Sequence, residues 1–179
     1  MKKTIRVQLS VESIENAMQQ LTEYRNSLTA KAAKIADRLS DIGFDVSSGI
    51  LLGHIYTGET ISSLNVTQVG PSKWIISAGS TALLFLEFGA GLVGHGHPKP
   101  GIYGPGTWSF GPGGKGHAFD PNGWWFQTDD PQLAIRQTKD GRMYGHSHGN
   151  PPYMPMYQAS VEMRRKIEQV AREVFSEGD

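Results

Sequence analysis

Apolar side chains recur every three or four residues over a long stretch near the N-terminus. They occupy positions 14, 18, 21, 28, 32, 35, 39 and 42, with Arg25 as an interruption. This spacing puts the apolar side chains on one side of a helix. Ser10 precedes the stretch as a candidate cap, and Gly43 follows it as a residue typical of helix ends. The pattern predicts an amphipathic helix over residues 11–42, about 45–50 Å long.

The same rhythm returns near the C-terminal end of the chain. Apolar or small residues stand at positions 156, 160, 163, 167, 170 and 174, with charged residues between them. Pro155 suits the first turn of a helix, where an N–H has no helical partner. We therefore expect a helix from about residue 155 to residue 176, with its charged side in water.

Two apolar runs between these helices are typical of a β-hairpin. Residues 64–69 and 73–78 are predicted strands, and Gly70-Pro71-Ser72 supplies the turn. Because side chains alternate along a strand, Trp74 and Ile76 should share one face and Ile75 should occupy the other.

Three other segments give weaker local signals. Residues 4–9 alternate apolar and polar side chains, which predicts a strand with one buried face. Residues 45–58 form an apolar stretch split by glycines, and its state stays open. Thr81–Phe88 is an apolar run of eight residues, which fits a short helix or a buried strand.

Glycine, proline and aromatic residues dominate residues 91–150. This stretch holds 14 of the 22 glycines, six of the ten prolines and three of the four tryptophans. Because Gly and Pro disfavour helix interiors and central strands, we expect a long loop or arm whose aromatic side chains need a surface to pack on. Near its end, Asp140-Gly141 predicts the turn of a hairpin.

These elements predict a single α+β domain over residues 1–179. A long N-terminal helix and a C-terminal helix would pack on a small antiparallel β-sheet. The long Gly/Pro/aromatic-rich loop or arm, residues 91–150, would be inserted before the last helix.

Composition narrows the classes of function. The chain has 17 basic and 17 acidic residues, so no basic surface is implied and sequence-specific binding of nucleic acid is disfavoured. It has no cysteine, which removes thiolate nucleophiles and cysteine-ligated metals. No apolar run approaches the roughly 20 residues that span a bilayer, so we expect no membrane partner.

Histidine pairs are the candidates for a metal site. His95 and His97 form one His-x-His pair, and His146 and His148 form another. Each pair could offer two imidazoles to one ion, but a hydrolase also needs a third ligand and a general base, for which His117, Asp120, Asp129 and Asp130 are candidates by residue type alone. We therefore expect no metal and no cofactor, and a metal-dependent hydrolase that uses these histidines stays as an alternative.

Aromatic residues and one carboxylate are the other notable features. Trp124 and Trp125 could stack on sugar rings, so a carbohydrate-binding module is a second alternative. We expect these rings instead to form a hydrophobic patch that holds the arm on the core or on a neighbouring subunit. Glu87 has apolar neighbours in the sequence, and a buried carboxylate must be hydrogen-bonded, paired or neutralised.

Four short blocks of the sequence carry a resemblance to a known family. They are Thr57-Gly58 with Leu64, Leu84-Phe85-Leu86-Glu87-Phe88-Gly89-Ala90-Gly91, Asn122-Gly123-Trp124-Trp125-Phe126, and Gly149-Asn150-Pro151-Pro152-Tyr153-Met154-Pro155-Met156. In their order and spacing the blocks resemble the HK-ninety-seven gene-product-ten-like family of tailed-phage neck, tail-completion or minor tail proteins.

This resemblance implies a structural part of a virion, without catalysis, that joins head to tail or completes the tail. The expected partners are other copies of the chain in a ring and neighbouring neck or tail proteins. The expected location is the virion, and the host cytoplasm during assembly. On this hypothesis Glu87, Phe88 and Gly89 form a structural corner. The residues expected in interface or arm packing are Trp108, Trp124, Trp125, Tyr153 and Met154.

Overall fold

The computed structural model describes residues 4–54, 59–91 and 122–177. In chain order the elements are α1 (Val11–Leu52), α2 (Glu59–Ser62), β1 (Asn65–Gly70), β2 (Lys73–Ser77), α3 (Thr81–Phe88), β3 (Trp124–Gln127), β4 (Arg136–Gln137), β5 (Met143–Ser147) and α4 (Pro155–Ser176). The expected α+β class is confirmed, with a long N-terminal helix, small antiparallel sheets and a C-terminal helix. The expected bounds of the C-terminal helix are also confirmed.

The long helix α1 begins where the sequence predicts and ends later. Its first turn is capped by Ser10, whose Oγ accepts a hydrogen bond from the backbone N–H of Ser13 (3.3 Å). The predicted end at Gly43 is wrong, because α1 continues to Leu52. A Cβ added at Gly43 would collide with Cδ1 of Ile76 and lie 2.8 Å from Sδ of Met163. The absence of a side chain at Gly43 therefore lets Ile76 of β2 and Met163 of α4 pack closely against the middle of α1.

The segment before α1 is not a strand. Residues 4–10 contain no regular secondary structure, and Leu9 is fully exposed. Alternating apolar residues form a strand only where a neighbouring strand supplies partners for the backbone N–H and C=O groups. Among the residues that the structure describes, no strand pairs with residues 4–10, and the strand predicted over residues 4–9 is therefore wrong.

One compact unit combines Met1–Asp45, Asn65–Ser77 and Ala159–Asp179. Its two strands form the predicted antiparallel hairpin, in which Val66 lies opposite Ile76. Trp74 and Ile76 are half-buried on one face, whereas Ile75 is exposed on the other. The expected alternation along β2 is confirmed.

Within this unit the end of α4 is tied to the middle of α1. Lys34 and Arg38 both bind the carboxylate of Glu177, at 2.7 and 2.8 Å. Hydrogen bonds from Lys34 and Arg38 hold the pKa of Glu177 below the ordinary value of a glutamate carboxyl, about 4.5. The ion pairs therefore stabilise the fold above about pH 4.5, and this contribution is lost as the pH falls through the lowered pKa.

The second compact unit combines Val46–Leu64 and Ala78–Gln158. The open alternative at Thr81–Phe88 is resolved as a helix. Oγ of Ser80 caps it by accepting from the N–H of Ala82 (3.1 Å), and Ser80 and Thr60 share a buried hydroxyl hydrogen bond (3.0 Å). The side-chain cap favours the helical state over the strand.

Residues 122–150 of this unit contain an antiparallel sheet of strand order β3-β5-β4. The predicted hairpin at Asp140-Gly141 is confirmed, since it joins β4 to β5 and Gly141 has a φ of 86°. No helix in the described parts of the chain is long and apolar enough to cross a membrane.

Two glycines of α1 provide a test of the close approach at Gly43. Gly43→Ala and Gly49→Ala gain the same helix propensity, but a Cβ at Gly49 meets no atom within 4 Å. We expect Gly49→Ala to raise the free energy of unfolding by about 0.5–1 kcal/mol. Gly43→Ala should be at least about 1 kcal/mol less stable than Gly49→Ala because of the added crowding. Urea unfolding measures both, and equal stabilities would contradict the packing assigned to Gly43.

Candidate functional site

Glu87 lies in the last turn of α3 and is only 6% exposed. Its Oε2 accepts a hydrogen bond from the backbone N–H of Met156 (2.9 Å), and its Oε1 accepts one from the N–H of Tyr157 (3.0 Å). Both N–H groups belong to the first turn of α4, so the carboxylate of one helix caps the start of another.

The sequence at the start of α4 explains why an external cap is needed. The backbone C=O of Met154 accepts the first helical hydrogen bond, from Gln158 (2.9 Å), so Met154 occupies the capping position. Its thioether is a poor acceptor, and Pro155 has no N–H. The next two N–H groups have no intrahelical partner. A carboxylate there satisfies both groups and interacts favourably with the positive end of the helix dipole.

Residues just before α4 in turn donate hydrogen bonds to the last carbonyl groups of α3. The C=O of Leu86 accepts from the N–H groups of Tyr153 (2.8 Å) and Met154 (3.1 Å). The C=O of Phe85 accepts from Nδ2 of Asn150 (2.9 Å). The last carbonyls of a helix also lack intrahelical donors, so each helix end supplies what the other lacks. We call residues 85–90 and 149–157 the α3–α4 junction.

Unusual backbone conformations allow these two segments to approach. Gly89 has φ 80° and ψ 168°, a region that is essentially restricted to glycine. Gly149 has a φ of 97°, and a Cβ there would collide with the C=O of Ala90. Ala90 and Asn150 exchange two backbone hydrogen bonds at 2.9 and 3.1 Å. Met154 has a φ of 54°, which is costly for a residue other than glycine.

The structure places five of the candidate residues at this junction. Glu87 and Gly89 contribute the cap and the turn, and the ring of Tyr153 stacks on that of His54 with 3.5 Å between ring centres. Sequence reasoning did not single out His54 as a functional residue or give a role to Asn150. Asn150 belongs to the fourth sequence block, and this membership could have marked it as a candidate. No feature of the sequence marked His54. The other candidates at the junction are Phe88 and Met154.

The tryptophans of the third block lie in the three-stranded sheet. Trp124 and Trp125 are in β3 and pair with Ser147 and His146 of β5. Trp125 is 51% exposed, and its ring meets the edge of the His146 ring with 4.7 Å between centres. An exposed indole on a strand offers an apolar contact surface to a partner. Trp108 lies outside the described residues.

The described histidines do not form a metal site. The rings of His146 and His148 are near each other, with 4.8 Å between centres. In the part of the chain that the structure describes, no group of three or more His, Cys, Asp or Glu side chains could hold an ion. His95 and His97 lie outside that part. Two imidazoles alone give less than the ligand set of a structural or catalytic zinc site.

Comparisons with protein-family models, with curated proteins and with solved structures gave no match to this chain. The geometry of the α3–α4 junction is therefore the main guide to function.

The junction predicts that Glu87 contributes to stability. Glu87→Gln keeps the size of the side chain but places an NH₂ group against a backbone N–H. We expect the free energy of unfolding to fall by about 1–3 kcal/mol because a buried donor loses its acceptor. The control is Glu168→Gln, which removes an exposed partner of Arg172 on α4 and should change stability by less than about 0.5 kcal/mol. Equal losses in urea unfolding would show that the cap contributes little.

A second pair of glycines tests the contact between Ala90 and residue 149. Gly149→Ala and Gly141→Ala both place alanine at a positive φ, but a Cβ at Gly141 meets nothing within 4 Å. Gly149→Ala should therefore be at least about 1 kcal/mol less stable than Gly141→Ala. Thermal and urea unfolding of the two variants give this difference, and a value near zero would argue against the close approach.

Proposed function

We propose that this protein is a structural assembly protein of a tailed bacteriophage or prophage. It acts in a ring of identical copies as a head–tail joining, neck or tail-completion component. Its partners are other copies of itself and the neighbouring neck or tail proteins. Its place is the virion, and the host cytoplasm during assembly.

The observation that carries the proposal is the meeting of two sequence blocks at the α3–α4 junction. Residues 84–91 and 149–156 are far apart in the chain, yet the second and fourth blocks satisfy each other's helix ends through Glu87, Leu86 and Asn150. The blocks that carry the family resemblance are thus joined physically as well as ordered along the sequence.

The other two blocks belong to the same compact unit. Leu64 of the first block is buried, whereas Thr57 and Gly58 lie outside the described residues. The third block forms β3, which pairs with β5 just before the fourth block begins. A resemblance whose parts assemble into one unit is better supported than a set of unrelated matches.

The chemistry of Glu87 also favours a structural function. It is the one buried side chain with a formal charge among the described residues. Both of its carboxylate oxygens accept backbone hydrogen bonds that hold the start of α4. The geometry of this carboxylate is therefore that of a helix cap.

Native mass spectrometry without chelator tests the proposal. We expect a metal-free ring or other multimer of more than two copies for the intact chain. Deletion of residues 98–120, within the arm, should preserve the circular dichroism spectrum and abolish assembly, because aromatic side chains commonly anchor contacts between subunits. Addition of a short Gly-Ser linker at the deletion controls for strain in the shortened loop.

Other outcomes would favour the alternatives. One transition-metal ion per chain, lost in His146→Ala and His148→Ala, would replace the proposal with a metal-dependent hydrolase. Saturable quenching of tryptophan fluorescence by glycans, abolished by Trp125→Ala, would favour a carbohydrate-binding module. Loss of folding on deletion of residues 98–120 would mean that the arm is part of the core.

A further inference from the structure

The first half of α1 carries an apolar stripe that is open to solvent. Met18 is 64% exposed and Leu21 is 56% exposed. We define the stripe by its apolar side chains, all exposed, which are Val11, Ile14, Met18, Leu21 and Leu28. A row of large apolar side chains in water is costly, and such rows commonly mark an interaction surface.

The stripe lies beyond the contacts that α4 makes with α1. The described contacts at the end of α4 begin at Lys31, whose Nζ is 4.8 Å from the centre of the Phe175 ring, and continue at Lys34 and Arg38. Residues 11–30 therefore extend about 30 Å of helix past this end of α4.

The spacing of the stripe is that of a coiled coil. Positions 11, 14, 18, 21, 25 and 28 alternate steps of three and four residues, which places them at the two inward positions of a heptad. The exposed positions next to this seam are mostly uncharged, with Thr22, Tyr24 and Thr29 among them. The natural occupant of such a seam is therefore another helix with the same spacing.

The same six positions are symmetric about their centre. When a second α1 runs in the opposite direction, Val11 lies opposite Leu28 and Met18 lies opposite Leu21. The remaining pair is Ile14 with Arg25. Every inward position of one copy thus meets an inward position of the other, so the stripe is complementary to itself.

The charges favour this antiparallel direction over the parallel one. In the antiparallel arrangement Arg25, opposite Ile14 of the second copy, is adjacent to that copy's Glu15 and near its Glu12. In a parallel pair in register, Arg25 would face Arg25 and the two guanidinium groups would repel each other. The exposed segment therefore has a preferred orientation as well as a preferred partner.

We infer that two copies of this chain associate through residues 11–28 of α1 as an antiparallel coiled coil. The contact is two-fold symmetric and closes with two chains. Two such segments bury roughly 1,000 Å² in total, the lower limit for a specific interface, so the dimer is a reversible one. The inference rests on α1 alone and not on the proposed role in the virion.

Disulfide trapping tests the orientation directly, because the chain has no cysteine of its own. The variants are Val11→Cys and Leu28→Cys, purified separately and given different mass tags. After subunit exchange and oxidation, an antiparallel pair gives a disulfide between the two different variants. Each variant alone should give little disulfide dimer, because the equivalent residues of the two copies are about 25 Å apart.

The opposite pattern of disulfides overturns the inference. Efficient cross-linking of each variant with itself indicates a parallel pair. Absence of cross-links in every mixture indicates that the stripe has another occupant, either a segment of the same chain or a different protein. Either result leaves the proposed function standing, because ring formation and the effect of the arm deletion are read out independently of residues 11–28.

Analytical ultracentrifugation of the full chain gives a second test. Leu21→Gln should raise the dissociation constant of the dimer at least about tenfold, because each dimer loses two buried leucines. Glu23→Gln, on the opposite side of the helix, is the matched control and should change it less than about twofold. A further charge exchange is informative: Arg25→Glu should weaken the dimer, and Arg25→Glu with Glu15→Arg should restore it. Failure of this restoration would contradict the antiparallel register.

Discussion

The hydrogen bonds between the Glu87 carboxylate and the first turn of α4 are the constraint on which the candidate site depends. The start of α4 contains Met154 and Pro155, neither of which supplies a side-chain cap, so its N–H groups need an acceptor from elsewhere in the chain. Because α3 provides that acceptor and takes donors back from Tyr153 and Met154, neither helix end is satisfied without the other. The junction thereby couples two segments that are more than 60 residues apart.

Local spacing and turn chemistry were sufficient for the two long helices and the two hairpins, but not for Thr81–Phe88, where helix and strand stayed open, nor for the end of α1. Both long helices and the turn at Asp140-Gly141 follow from spacing and turn chemistry that operate within a few residues. The end of α1 does not follow from local spacing. A glycine can end a helix or can make room for a neighbouring element, and these two cases look alike in a sequence. At Gly43 it permits the approach of Ile76 and Met163, which are distant in the chain. A long-range contact of this kind has no local signal.

The site shows the same division between local and distant information. Glu87 could be singled out because a carboxylate interrupts an apolar run, whereas Phe88 and Gly89 were singled out only by the family resemblance. Their partners could not be predicted from the sequence. Asn150, His54 and the N–H groups of α4 come close to this segment only in the folded chain. Residues 4–9 show the converse, because their alternating pattern predicts a strand, yet no strand in the described part of the chain pairs with them.

The apolar stripe of α1 carries this reasoning one step further. The spacing of apolar residues predicts that one face of a helix is covered, and the same spacing runs through both halves of α1. In the second half, the covering elements at Gly43 are β2 and α4. In the first half Met18 and Leu21 remain exposed, although their spacing continues the same pattern. The symmetry of the stripe identifies the partner there. When a second α1 runs in the opposite direction, each apolar position meets another position of the stripe and Arg25 lies beside Glu15, so the stripe is complementary to a second copy of itself.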